Sequence, residues 1–341
     1  MPLIGDFCVL ISMKMRVFTL TLLAMIAFAS NSLLCRAALK ETGTDAASFT
    51  LIRILSGALA LWLIIQIQRL LKVDRTASAL VERRQAVVKF PSPQSSPTGR
   101  GGPFSSREKV GMRAAGNWIS GLALFAYAAA FSFAYNTLSA GTGALLLFGA
   151  VQATMILWGF RKGERLRAIQ VIGLLIAVIG LVVLVFPGLS APPLIGSMLM
   201  LGAGVAWGVY SLRGKSVRDV TGSTAGNFLR AVPFAALVTV LMLPKMHLDS
   251  LGITYAVISG AITSGLGYVI WYAALAGLKA ASAATVQLSV PVLAATGGIL
   301  LLGEPITLRY AIASIAVLGG IFLVIIERRP TSSTPAPIVT D

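Results

Sequence analysis

Residues Leu300–Ile306 read LLLGEPI, and residues Arg161–Leu166 read RKGERL. In each case a long apolar run ends on glycine and glutamate before a second apolar run begins. Glu304 lies 140 positions after Glu164, in a chain with only 12 acidic residues. Matching punctuation after two apolar runs implies a unit written twice. Leu138 and Ala144 align with Leu278 and Ala284 at the same offset. Arg36 and Arg53 align with Arg213 and Arg230 at an offset of 177. The difference, 37 residues, is close to the length of a basic stretch inserted in the first copy. Register is looser in the first helix, where Phe28-Ala29-Ser30-Asn31 pairs with Trp207-Gly208-Val209-Tyr210.

Of the 341 residues, 56% are hydrophobic and 12% charged. A soluble chain carries about 25% charged residues. Apolar runs of about 18 residues or more recur along the whole length, each long enough to cross a bilayer as a helix. The alternating strands of about ten residues that build a membrane barrel are absent. The expected fold is all-α: a polytopic membrane protein of ten transmembrane helices. The spans fall at about 17–38, 47–69, 114–135, 139–160, 168–187, 193–212, 224–243, 252–276, 281–302 and 308–326. Five spans per copy is an odd number, so the second copy must enter the membrane the other way up. Two inverted five-helix repeats are the arrangement of many secondary carriers.

The expected organisation is an N-terminal extension (1–16), a first repeat (17–187), a second repeat (193–326) and a tail (327–341). Residues 72–113 interrupt the first repeat. They are rich in Pro, Ser, Gly and positive charge and read as a flexible linker. Lys14, Arg16 and the run through Ala27-Phe28-Ala29 imitate a signal peptide. The apolar run does not stop there, however, and the repeat uses this helix.

The net charge of +16 raises nucleic acid as a partner, but no aromatic-basic motif accompanies it. Most of the 28 Lys and Arg sit in gaps between spans on one side. The positive-inside rule then places both termini in the cytoplasm, with the chain expected as a multi-pass protein of the bacterial inner membrane. In that orientation Glu164 faces the cytoplasm and Glu304 the periplasm. Cys8 and Cys35 form no disulfide framework, and a lone His247 makes no metal site. No cofactor motif is present, and no GxxxxGK[ST] phosphate loop supports a primary pump.

The chain resembles the EamA-like, ten-helix branch of the drug/metabolite transporter superfamily. The resemblance rests on Arg53 and Arg230, Gly163-Glu164-Arg165-Leu166, Gly303-Glu304-Pro305-Ile306, Trp207-Gly208 and Ser289-Val290-Pro291-Val292, and covers about residues 17–326. Three features depart from it. Phe28-Ala29 stands where the family often has Trp-Gly, Val151 stands opposite Pro291, and the inserted linker is long. The resemblance implies two tandem EamA domains and a metabolite substrate such as an amino acid or a derivative.

Gly303 and Gly163 are expected to allow the turns, with each Glu favouring the dipole of the helix that follows. Pro305 suits the first turn of that helix. Arg53 and Arg230 are the charges well inside spans, and an intramembrane arginine is either functional or structurally paired. No carboxylate falls mid-membrane, which weighs against simple carboxylate-coupled antiport. Candidate substrate-binding residues are Asn31, Gln152, Trp207, Tyr210, Tyr268, Tyr272 and Gln287, with Tyr127 and Asn227 beside them. Asn and Gln in lipid are costly unless paired, so each is either a solute ligand or an interhelical tie. Pro233 and Pro291 are candidate helix kinks that free a carbonyl.

The function expected is a non-enzymatic secondary transporter moving, by export, a small polar or amphipathic metabolite. Its partners are that solute and the lipid bilayer; the oligomeric state is unknown. Two rivals stand beside it: a scaffold or sensor acting through the basic linker, and a membrane-embedded lipid-handling protein. Deletion of residues 74–110 separates the first rival from a carrier.

Overall fold

The structure is a computed structural model that describes residues 2–88, 116–163, 167–188, 191–214, 217, 219–275, 277–278 and 286–326. Side-chain detail covers those residues except 2–14, 72–88 and 326. Ten helices follow one another among the described residues. They are α1 (Pro2–Glu41), α2 (Ala46–Val88), α3 (Trp118–Tyr135), α4 (Ala140–Arg161) and α5 (Ala168–Val185). The second half has α6 (Leu194–Gly214), α7 (Val220–Leu241), α8 (Ser250–Leu275), α9 (Ser289–Leu302) and α10 (Leu308–Ile326). Nine contain a stretch long and apolar enough to cross a membrane, and α9 is shorter.

Their outer faces confirm a lipid setting. Ile315, Leu300 and Leu301 are 75%, 76% and 72% exposed. Many other large apolar side chains of the helices are exposed as well, which suits lipid rather than water. The helices differ in depth: 67% of the α4 membrane stretch is buried, against 28% for α5. Thus α4 is central and α5 is peripheral.

Packing crosses between the halves. α5 lies on α10, α2 on α7 and α4 on α9. α3 packs on α6 and α7, while α8 packs on α1 and α2. Glycines permit the closest crossings, since lipid supplies little hydrophobic drive and helices must touch to attract. A Cβ on Gly204 of α6 would stand 2.6 Å from the Ala150 Cβ of α4, and one on Gly208 2.9 Å from the Thr154 Cβ. Gly173 and Gly320 press backbone to backbone where α5 meets α10.

α8 carries a wide turn. Ser259–Leu266 is π-helical inside the 26-residue span. Gly260 lets this segment lie directly on the α2 backbone at Arg53. Such π segments often occur at functional sites.

Two sequence expectations need correction. α2 continues as helix to Val88, so the first part of the 72–113 linker is helical. Its residues there, DRTASALVERRQAVV, are mostly good helix formers, and proline first appears at Pro91. The rest of that linker, from 89 to 113, lies outside the described residues. The N-terminal extension is also helical, continuous with α1 from Pro2. Second, Pro305 precedes the last helix, which starts at Leu308. Glu304 does not serve that helix: Thr307 Oγ1 accepts from the Tyr310 amide instead.

Glu304 reaches into the other half. Its Oε2 accepts from the amide of Ala140, the first residue of α4, at 2.8 Å. Its Oε1 accepts from Arg36 Nε at 3.0 Å. Arg36 Nη1 also donates to the Tyr135 and Asn136 carbonyls at the end of α3. One arginine and one glutamate thus join α1, α3, α4 and the α9–α10 turn. Gly303 makes the turn with φ +61°, and the Glu304 amide donates back to the Gly298 carbonyl. This is a left-handed helix cap that few residues other than glycine adopt. Gly163 also has positive φ, at +91°; Glu164, Arg165 and Leu166 lie outside the described residues.

Candidate functional site

α1, α2, α3 and α8 bring polar groups together inside the bundle. The Asn31 Oδ1 on α1 accepts from Ser259 Oγ at 2.6 Å and from Thr263 Oγ1 at 3.3 Å. Both donors belong to the π-helical turn. Asn31 Nδ2 donates to the Tyr127 hydroxyl at 3.3 Å. The same hydroxyl accepts from Arg53 Nη2 at 3.0 Å. Arg53 Nε donates to Ser264 Oγ at 3.3 Å. The Arg53 guanidinium lies 5.2 Å from the Tyr127 ring centre and 4.8 Å from that of Phe131.

Arg53 is only 2% exposed, and its Nη1 has no hydrogen-bond partner among the described residues. Among the described residues the one ion pair is Arg36 with Glu304, so no carboxylate there balances Arg53. Burying an unpaired charge costs several kcal/mol, partly offset here by two aromatic faces.

A chamber of about 20 Å³ adjoins this network. Asn31, Tyr127 and Thr263 form its polar wall; Phe28, Phe131, Trp207 and Tyr268 form much of the apolar one. Trp207 is the hub, 4.8 Å from the Tyr127 ring centre and 5.0 Å from that of Tyr268. The space suits a water molecule rather than a metabolite, so the centre is closed.

A cavity lies toward each end of the bundle. One, of about 120 Å³, is lined by Asn117, Ser120, Tyr210, Arg213, Asn227 and Tyr272 among others. Arg213 donates to Ser120 Oγ and Asn117 Oδ1 there, at 3.1 and 3.2 Å. Trp207 stacks on Tyr210 at 5.4 Å and so stands between this cavity and the chamber. The other cavity, about 190 Å³, lies beside Glu304 and is lined by Ser139, Pro193, Thr307 and Tyr310 among others.

The sequence candidates therefore separate into groups. Asn31, Trp207 and Tyr268 line the chamber with Tyr127. Tyr210 and Tyr272 line the Arg213-side cavity with Asn227. Gln152 is buried on α4 but lines neither, and Gln287 lies half-buried just before α9. Arg230 is half-buried, donates to the Gly226 carbonyl at 2.9 Å and faces the Trp118 ring at 6.0 Å. Pro233 lies within α7. Pro291 is the third residue of α9, in the first turn, where proline removes no intrahelical bond. Sequence reasoning missed Ser259, Thr263, Ser264, Phe28 and Phe131. The run SGAITSG of small polar residues in an apolar span was the available signal.

Comparisons with known proteins agree with this architecture. Residues 194–326 match the model of the EamA-like transporter family. An uncharacterized protein of Pseudomonas aeruginosa is 49% identical over 313 residues, covering 92% of this chain and 96% of that one. An uncharacterized transporter of Archaeoglobus fulgidus is 30% identical, covering 56% of this chain and 70% of that one. A protein of Escherichia coli described as "Probable amino-acid metabolite efflux pump" is 25% identical, covering 64% and 79%. One solved crystal structure shares the fold with a TM-score of 0.55 at 17% identity, covering 92% of this chain and 99% of that one. The helices, the match and the relatives agree on a multi-pass membrane transporter of a small-molecule substrate: the chain belongs to the EamA-like transporters of the drug/metabolite transporter superfamily.

Proposed function

We propose that the chain exports a small polar or amphipathic metabolite, an amino acid or a derivative, across a bacterial inner membrane. The mechanism is alternating access between two inverted five-helix units, 17–187 and 193–326, with both termini in the cytoplasm. The observation that carries this reading is the closed chamber with a cavity toward each end of the bundle. A carrier needs a central solute site that opens to one side at a time. Crossed packing of the halves supports the two units: when α3 rests on α6 and α7, its counterpart α8 rests on α1 and α2. The family match at 194–326 spans the second unit. The amino-acid class comes from the description of the Escherichia coli relative.

Trp207 is the proposed gate on the Arg213 side, since its rotation would join the chamber to the neighbouring cavity. The Arg36–Glu304 pair is the proposed latch on the other side.

The test loads liposomes containing the purified protein with amino acids, organic acids, nucleosides, sugars and organic cations. Release is followed by mass spectrometry. Selective release of amino acids, abolished by Trp207→Ala combined with Asn31→Ala, is the expected result. Release of another class would keep the carrier and overturn the substrate. No release above empty liposomes, from folded protein at several pH values and potentials, would overturn the carrier reading.

A further inference from the structure

We infer that the Tyr127 wall of the chamber is a carboxylate subsite, with Arg53 behind it as the fixed positive charge. The inference rests on the carrier reading for the site's use, but its chemistry comes from the residues themselves.

The Tyr127 oxygen already accepts two hydrogen bonds, from Asn31 Nδ2 and Arg53 Nη2. Its own proton finds no acceptor among the described residues, while the residue lines the chamber. A phenol that accepts from a guanidinium becomes a stronger donor, because hydrogen bonds in a chain polarise one another. It therefore offers a proton to an acceptor in the chamber, and prefers an anionic one.

The charge balance points the same way. Arg53 is buried, its Nη1 is orphaned among the described residues, and no described carboxylate is paired with it. An intramembrane cation is stable when an opposite charge approaches through a low-dielectric wall. Tyr127 and Phe131 are that wall, and both rings face the guanidinium. A single negative charge on the solute would leave the pair neutral. A solute bearing only an amine would meet a buried cation of its own sign. The carboxylates whose side chains are described, Glu41, Asp45, Asp219, Asp249 and Glu304, stand at the ends of helices or in the turns between them and give an amine no central partner.

The Asn31 amide is less available to the solute. Its oxygen is held by Ser259 and Thr263 and its nitrogen by Tyr127. Asn31 thus positions Tyr127, and Tyr127 makes the contact.

The experiment uses the full-length protein in detergent and in liposomes. The probes are alanine, methionine, phenylalanine and 3-phenylpropionate, against the three amino-acid amides and phenethylamine. Binding is read by calorimetry and transport by counterflow. The expected result is that at least one acid binds tenfold or more tighter than its uncharged or cationic analogue. Tyr127→Phe keeps the ring and removes the donor. It should weaken acid binding by about 10- to 100-fold, the usual loss for a hydrogen bond to a charged group, and leave amide binding unchanged. Arg53→Gln should abolish the preference; where that variant does not fold, Tyr127→Phe carries the test. Amides or phenethylamine binding as well as the acids would overturn the subsite. So would an acid preference that survives Tyr127→Phe, or no binding by any acid. Acid-selective binding without counterflow would uphold the subsite and overturn the carrier. Counterflow of amides and acids alike would uphold the carrier and overturn the subsite.

Discussion

Arg36 and Arg53 lie in the same half, and the structure gives them opposite environments. Arg36 has a carboxylate and two helix-end carbonyls; Arg53 has hydroxyls and rings. Removing one partner of a buried, hydrogen-bonded pair leaves the other charge stranded, which costs about 3–5 kcal/mol. Glu304→Gln keeps an acceptor for Ala140 but strands Arg36. It should lower the melting temperature in detergent, and Arg36→Gln combined with it should recover part of the loss. A double variant no more stable than the worse single one would mean that the two side chains do not act as a pair. Arg53→Met should do less harm to stability than Glu304→Gln, because no bound anion is lost with it.

Among the elements, α6 depends most plainly on small residues. Gly204 and Gly208 let it lie against α4, and the same placement holds Trp207 over Tyr127 and Tyr268. Gly204→Val inserts side-chain atoms where the Leu147 carbonyl and the Ala150 methyl already stand. Overpacking of this kind costs about 1–3 kcal/mol. The expected outcome is a poorly folding or inactive protein, whereas Gly202→Val, which faces open space, should fold and expose the same membrane span. Size-exclusion profiles and melting curves of the two variants check this. The π-helical turn of α8 is the second such element. Its Ser259 and Thr263 hydroxyls converge on one Asn31 oxygen, and Ala at both positions should release Asn31 and weaken solute binding more than it weakens folding.

At the scale of the whole molecule, the basic segment between α2 and α3 makes its own prediction. Transport should survive deletion of residues 91–110, which leaves α2 intact to Val88. Liposome release from the deleted and full chains is the comparison, and loss of release in folded protein would favour a scaffold or sensor role for the segment. Orientation is tested by cysteines introduced at Gly188 and Lys162, at opposite ends of the bundle. A membrane-impermeant thiol reagent should label the first from outside intact cells and the second only after lysis.

Much of the fold was legible because lipid imposes simple rules. Runs of apolar residues had to be helices, and glycine followed by a charged residue had to be a turn. That logic located all ten helices, several ends of them within a few residues. It failed where the chain leaves those rules. The helix beyond Leu71 is polar and stands on local propensity, which hydropathy does not register. Glu304 was read as serving its neighbour in sequence, yet its partners are 268 and 164 residues away. Side-chain reach across a bundle carries no local signature. The chamber was partly legible for a related reason. Asn31, Trp207 and Tyr268 stand out as polar or amphipathic groups in apolar helices, but Thr263 and Ser264 look like ordinary small residues until a π turn aims them inward. Gln152 and Gln287 have the same chemistry but line none of the three cavities described.

The Arg36–Glu304 junction has a consequence for timing. Four chain segments meet at two side chains, and neither can keep half of its bonds without leaving charge poorly paired. In a carrier that opens at this end, intermediate widths are therefore the least populated. Passage would follow a threshold event with a steep temperature dependence, and solute size would alter how often the threshold is crossed more than how far the end opens.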